Sequence, residues 1–134
     1  MSSQSQKSKR LCTLTINSIQ KNNPNFASGQ IKHIAQDNYP VDFRYSDIKT
    51  SVIFLSLLYH YNSPLYVNNK LETVRKTEYY KTDIVILAII QDTEDTKNYL
   101  YDIQIKCLSM GVQVILFKNG AAFSSFLKTL QTDN

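Results

Sequence analysis

The chain has 134 residues, is 43% hydrophobic and 19% charged, and carries only 3 Gly and 3 Pro. That length suits one domain around a single core, and the composition excludes a collagen, a low-complexity polymer and a wholly disordered chain. The net charge of +4 is uneven: residues 1–81 hold 11 Lys/Arg against 5 Asp/Glu, a balance of +6, and residues 82–134 hold 4 against 6, a balance of −2.

In chain order, residues 1–10 read as a flexible basic tail. They lack the apolar h-region of a secretory signal, and no apolar stretch is long enough to span a bilayer. Leu11 to Ile16 alternates apolar and polar and predicts a half-buried strand. Lys21-Asn22-Asn23-Pro24 signals a turn. Phe26 to Ala35 carries a weak helical stripe, interrupted by Gly29. Asp37-Asn38-Tyr39-Pro40 breaks the chain before a short strand at Val41 to Tyr45. Val52 to Tyr59 is apolar on both parities, as a central strand covered on both faces should be. Ser63 and Pro64 then look like the N-cap and first residue of a helix running to about Tyr80, with Val67, Leu71 and Val74 buried. Ile84 to Ile90 predicts a second central strand. A helix starting near Asp92 or Thr93 turns Leu100, Ile103, Cys107 and Met110 inward and stops at Gly111. Val112 to Phe117 is a third strand. A last helix after Asn119-Gly120 is buried through Phe123, Phe126, Leu127 and Leu130.

From residue 50 onward, strands and helices alternate. That order predicts one α/β domain over residues 11–131, with a mainly parallel sheet and helices on both faces.

Several chemistries are missing. No GxGxxG or Walker pattern occurs. His33 and His60 lie at no ligand spacing from a cysteine or from each other, and Cys12 and Cys107 are too far apart in sequence for a zinc knuckle. A reduced, intracellular, soluble domain is the default reading, and Cys107 on an apolar stripe reads as a packed small side chain. A metal-dependent nuclease needs carboxylates gathered at strand ends, yet no Asp or Glu occurs from Ile48 to Leu71. Asp83, Asp92, Glu94 and Asp95 flank strand ends, where acids also serve as helix caps.

The remaining chemistry is a set of aromatics, amides and cations. Lys21, Arg75, Lys76 and Lys81 are candidate phosphate contacts, and Tyr59 and Tyr66 are candidate stacking platforms for unpaired bases. The plainer reading is that the tyrosines pack and the lysines solvate a helix.

Phe54-Leu55-Ser56-Leu57-Leu58-Tyr59-His60, followed by Pro64-Leu65-Tyr66-Val67 and Lys70-Leu71, resembles the central domain of the ERCC-one/Swi10-type proteins. These are the non-catalytic partners of the XPF-type structure-specific endonuclease of nucleotide excision repair. The likeness continues through Ile84 to Ile90, Gln91-Asp92, Lys106-Cys107-Leu108, Gly111 and Val114-Ile115-Leu116, and upstream Lys21-Asn22-Asn23-Pro24 resembles the family's basic Asn-Pro turn. The resemblance implies a nuclease-like (restriction-endonuclease-like) fold without active-site acids, no cofactor, a heterodimer with an XPF-type subunit and a nuclear location.

It further implies a groove for single-stranded DNA or for a docking peptide of the damage-verification protein XPA, formed by Asn23, Phe54, Ser56, Tyr59, Tyr66 and Lys70. Three positions depart from the pattern. Lys70 stands where the family usually has Arg, Leu65 where an acid is usual, and the early Trp is absent. The family's C-terminal helix-hairpin-helix domain has no counterpart in this chain. Two other roles fit the same scaffold: a meiotic crossover-type protein-interaction module, and an active metal-dependent nuclease using Asp83, Asp92 and Asp95.

Overall fold

The computed structural model describes residues 11–94 and 97–132. The expected tail over residues 1–10 and the candidate ligand Asp95 lie outside the described residues.

Six strands form one sheet: β1 (Leu14–Asn17), β2 (Ile34–Gln36), β3 (Phe43–Tyr45), β4 (Thr50–Ser56), β5 (Ile84–Ile90) and β6 (Gln113–Phe117). Their spatial order is β2-β1-β3-β4-β5-β6. The helices are α1 (Leu57–Asn62), α2 (Tyr66–Arg75), α3 (Glu78–Thr82), α4 (Lys97–Met110) and α5 (Gly120–Thr132), with a 3-10 turn at Ser18–Asn22. Among the described residues, no helix is long and apolar enough to cross a membrane.

The expected parallel pairing holds for β4–β5 and β5–β6, joined by helical crossovers, and for β1–β2. The β1–β3 and β3–β4 ladders are antiparallel, so the sheet is mixed. The short link between β3 and β4 explains the second of these, because a parallel pair needs a crossover of a dozen or more residues. Lys49 makes that link with a left-handed φ of 46°.

Apolar residues on both parities of β4 and β5 give the sheet two cores. Ile53, Leu55, Val85, Leu87 and Ile89 face α2 and α4, packing on Val67, Leu71, Ile103 and Cys107. Val52, Ile86, Ala88 and Ile90 face α5, packing on Phe123 and Leu127. The Phe123 ring meets Phe43, Phe54 and Phe117 at centroid distances of 5.4, 5.1 and 5.6 Å. It joins three strands to α5.

Four expectations are corrected. The central strand stops at Ser56 rather than Tyr59, because the Ser56 hydroxyl accepts from the Tyr59 N–H at 3.1 Å and starts α1. Ser63 ends α1 rather than capping the next helix, which begins at Tyr66 with no side-chain cap. The helix expected to reach Tyr80 is two helices, broken where Thr77 is extended at ψ 161°. Phe26 to Ala35 forms turns and the exposed edge strand β2; Phe26 and Ile31 are buried, but without a helical repeat. Boundaries also move elsewhere: Asp92 and Thr93 precede α4 as non-helical residues, and Gly111, at φ 74°, ends that helix as expected.

Candidate functional site

A groove of about 620 Å³ opens where β4 ends. Its walls are the Asn22–Asn25 turn on one side and Tyr59 of α1 and Tyr66 of α2 on the other, with Phe54, Leu55 and Ser56 between them. Five of the six residues expected to form one groove, Asn23, Phe54, Ser56, Tyr59 and Tyr66, therefore line it.

Each wall is held by both local and long-range hydrogen bonds. Asn17 caps the 3-10 turn by accepting from the Ile19 N–H at 3.0 Å, and its amide donates to the Tyr39 carbonyl at 2.8 Å. Asn23 ties the Asn-Pro turn: its side-chain oxygen accepts from the Asn25 N–H at 2.9 Å and its amide donates to Gln20 Oε1 at 2.8 Å. The side chain of Ser124 on α5 anchors the same turn, accepting from the Ala27 N–H at 3.0 Å and donating to the Asn25 carbonyl at 2.9 Å.

On the opposite wall the Tyr59 and Tyr66 rings meet edge to face, with centroids 5.1 Å apart at 88°. Tyr59 is 49% exposed. Burial, with smaller effects from Asp42 and Tyr59, pushes the Tyr66 hydroxyl up to about 12. It therefore stays neutral and can donate at any physiological pH.

Two expected contacts have other duties. Ser56 donates to Asp92, and Asp92 also accepts from the Leu58 N–H at 2.8 Å, so both groups hold the start of α1 and thereby Tyr59. Lys70 does not line the groove. Its ammonium lies 3.3 Å from Asp42, whose other oxygen accepts from the Phe54 N–H at 2.7 Å. The Asp42 and Lys70 side chains are 3% and 17% exposed. Lys70 is therefore the counter-ion of a buried carboxylate that positions the groove floor.

The four candidate phosphate contacts are exposed but separated. Lys21 sits between groove residues Gln20 and Asn22. Arg75, Lys76 and Lys81 lie near the ends of α2 and α3, where β5 starts. Arg75 ends α2, about 14 Å along the helix from groove residue Tyr66 at roughly 1.5 Å per residue, and Lys76 and Lys81 follow it in the chain. Arg75 also pairs with Glu72 at 3.3 Å.

The candidate metal ligands do not converge. Asp83 and Asp92 flank opposite ends of β5. Asp83 accepts from Arg44 at 2.6 and 3.1 Å, from Ser51 at 2.7 Å and from Thr82 at 2.9 Å. Those bonds occupy the roughly four lone-pair sites of a carboxylate. Burial works to raise this carboxyl, but the bonds from Arg44, Ser51 and Thr82 outweigh it and hold it below the usual value. Among the described residues, no three His, Cys, Asp or Glu side chains cluster to hold a metal ion. Burial pushes the Cys107 thiol up to about 11, so it is not an activated nucleophile, and burial lowers His60.

Sequence reasoning missed Ile19, 75% exposed at the groove rim, and Gln20. An apolar residue directly after β1, outside any strand alternation, was the available signal.

Residues 11–133 match the family described as Rad10, the binding domain of DNA repair protein Ercc1 (rad10/Swi10). No curated protein matches the chain. Among solved structures, the fold is similar to XPF from Aeropyrum pernix in complex with DNA, with TM-score 0.66 and 12% identity over 90% of this chain. It is also similar to XPF from Aeropyrum pernix determined separately, with TM-score 0.65 and 12% identity over 88% of this chain. The chain covers 63% and 59% of those two proteins' solved chains.

Proposed function

The chain belongs to the Rad10 family, and on that premise we propose that it is a non-catalytic, DNA- and protein-binding partner of an XPF-type endonuclease in nucleotide excision repair. The observation that carries this reading is the groove: two tyrosines and an amide-rich turn face each other, and no lining residue is acidic. Such a surface suits unpaired bases, which stack on aromatic rings, beside a backbone that cations neutralise. Tyr59 and Tyr66 are the stacking platforms and Lys21 is the nearest phosphate contact. Arg75, Lys76 and Lys81 form a second basic region for the duplex part of a junction.

In this reading the scaffold is nuclease-like but does not cut. The commitment of Asp83 and Asp92 to hydrogen bonds within the fold, at opposite ends of one strand, supports that view. The protein works in the nucleus as a heterodimer with its XPF-type subunit. An apolar stripe on α4 supports a protein partner: Tyr101, Ile105 and Leu108 recur at helical spacing and are 66%, 49% and 77% exposed. A peptide of an XPA-like protein would compete for the groove.

Two measurements test the proposal. Anisotropy titrations should show salt-dependent binding to single-stranded and forked DNA, and Tyr59→Ala or Tyr66→Ala should each cost about 1–3 kcal/mol. Co-expression with an XPF-type subunit should yield a complex without metal-dependent cleavage by this chain. Salt-independent or absent DNA binding, or robust cleavage abolished by Asp92→Asn, would overturn the proposal.

A further inference from the structure

Across the Asn-Pro turn from the aromatic groove lies a second opening of about 520 Å³. Pro24 and Asn25 line both, so the turn is a shared wall rather than the end of the site. The second groove has a different lining. Lys128, Ser125 and Gln30 are exposed around it, and no Asp or Glu takes part. The wall between the grooves is rigidly backed. Ser124 bonds both Asn25 and Ala27, and a Cβ at Gly120 would meet Asn25 Oδ1 at 2.5 Å and the Asn25 Cα at 2.9 Å.

We infer that the second groove is a continuation of the nucleic-acid site. The strand stacks on Tyr59 and Tyr66, passes over the Pro24 ridge, and lays its phosphodiester backbone along Gln30, Ser125 and Lys128. This rests on the reading of the first groove as a single-strand site. The chemistry of the two halves is complementary. The aromatic half offers ring faces to bases, and the second half offers a cation, a hydroxyl and an amide to phosphate oxygens.

The test uses the full chain and two labelled oligothymidylates, one of about 4 and one of about 16 nucleotides, spanning the usual range of single-strand site sizes. Lys128→Gln should leave the affinity for the short oligonucleotide unchanged. It should weaken the long one about fivefold and lower its salt slope by about 0.7, the value for one single-strand phosphate contact. Lys128→Arg should retain long-oligonucleotide binding. Ser125→Glu, which places an acid in the second groove, should repeat the length-selective loss. Tyr66→Ala should weaken both lengths, and thermal melts should show the Lys128 variants folded like the parent.

If the parent binds both lengths but Lys128→Gln changes neither, or changes both equally, the second groove is not on the path and this inference alone fails. If the parent binds neither, it fails together with the reading beneath it.

Discussion

The Lys70–Asp42 pair gives the sharpest test of how the groove is held. Lys70→Met keeps the length of the side chain and removes its charge, leaving Asp42 buried with the Phe54 N–H as its remaining close partner. Removing one partner of a buried ion pair typically costs about 3–5 kcal/mol. Lys70 is 17% exposed and its contact is 3.3 Å, so water screens part of the interaction and the lower end, about 3 kcal/mol, applies. For a domain of this size, that lowers the melting temperature by about 10 °C.

Urea and thermal unfolding of the parent, Lys70→Met, Asp42→Asn and the double variant close a mutant cycle. The double variant should recover about 2 kcal/mol of the Lys70→Met loss, since no stranded charge remains. Oligonucleotide binding adds a second readout. If Lys70 acts through Asp42 and Phe54, Lys70→Met weakens binding without changing the salt slope, whereas losing a direct phosphate contact lowers that slope by about 0.7. A Lys70→Met variant within about 0.5 kcal/mol of the parent, or a double variant no more stable than Lys70→Met, would refute the reasoning.

Phe123→Ala opens a cavity among Phe43, Phe54 and Phe117 and should cost about 3–5 kcal/mol in denaturant unfolding. Asp83 supplies a pH signature. Its folded-state carboxyl is held below the usual value, so its stabilisation is fully present above about pH 4, the ordinary range for an unfolded Asp, and is lost as pH falls through the depressed folded value. The stability gap between the parent and Asp83→Asn should therefore be wide at neutral pH and close in acid, as read from unfolding curves across that range. Reversing charge at Lys76 and Lys81 together should lower the salt slope for forked DNA by about 1.8, at roughly 0.9 per duplex phosphate contact. Binding of the short single strand should be unaffected.

The sequence signal was strongest where local pattern and tertiary role agree. Ile84–Ile90 appears residue for residue as a strand, because seven consecutive apolar residues can be buried on both sheet faces. The same rule overran β4. Leu57 and Leu58 continue the apolar run, and the stop depends on the Ser56 cap and on Asp92, a partner 36 residues away. Phe26 and Ile31 are core residues of an irregular segment, fixed by α5 rather than by any period of their own. The site shows the same division. Tyr59 and Tyr66 lie close in sequence and meet through a short helix, so their pairing was legible in the motif. Lys70 was expected in the groove, and its pairing was not legible because its partner, Asp42, lies 28 residues earlier, just before β3. Gln30 and Lys128 are 98 residues apart, and only the docking of the Asn-Pro turn on α5 brings them to one groove.

The acids near the sheet ends are occupied within the fold. A divalent cation needs several oxygen ligands with free lone pairs at one place. Asp42 faces Lys70 and the Phe54 N–H, Asp83 is filled by Arg44, Ser51 and Thr82, and Asp92 holds Ser56 and the start of α1. Each carboxylate is an internal brace, and two of the three braces set the groove: one fixes its floor at Phe54, the other orients Tyr59. A substitution that frees one of these carboxylates for a metal therefore loosens the surface that would hold the DNA. On this argument, building a metal site at these sheet ends requires new acids at positions that brace nothing. Single replacements of Lys70 or Ser56 should lower binding before any cleavage appears.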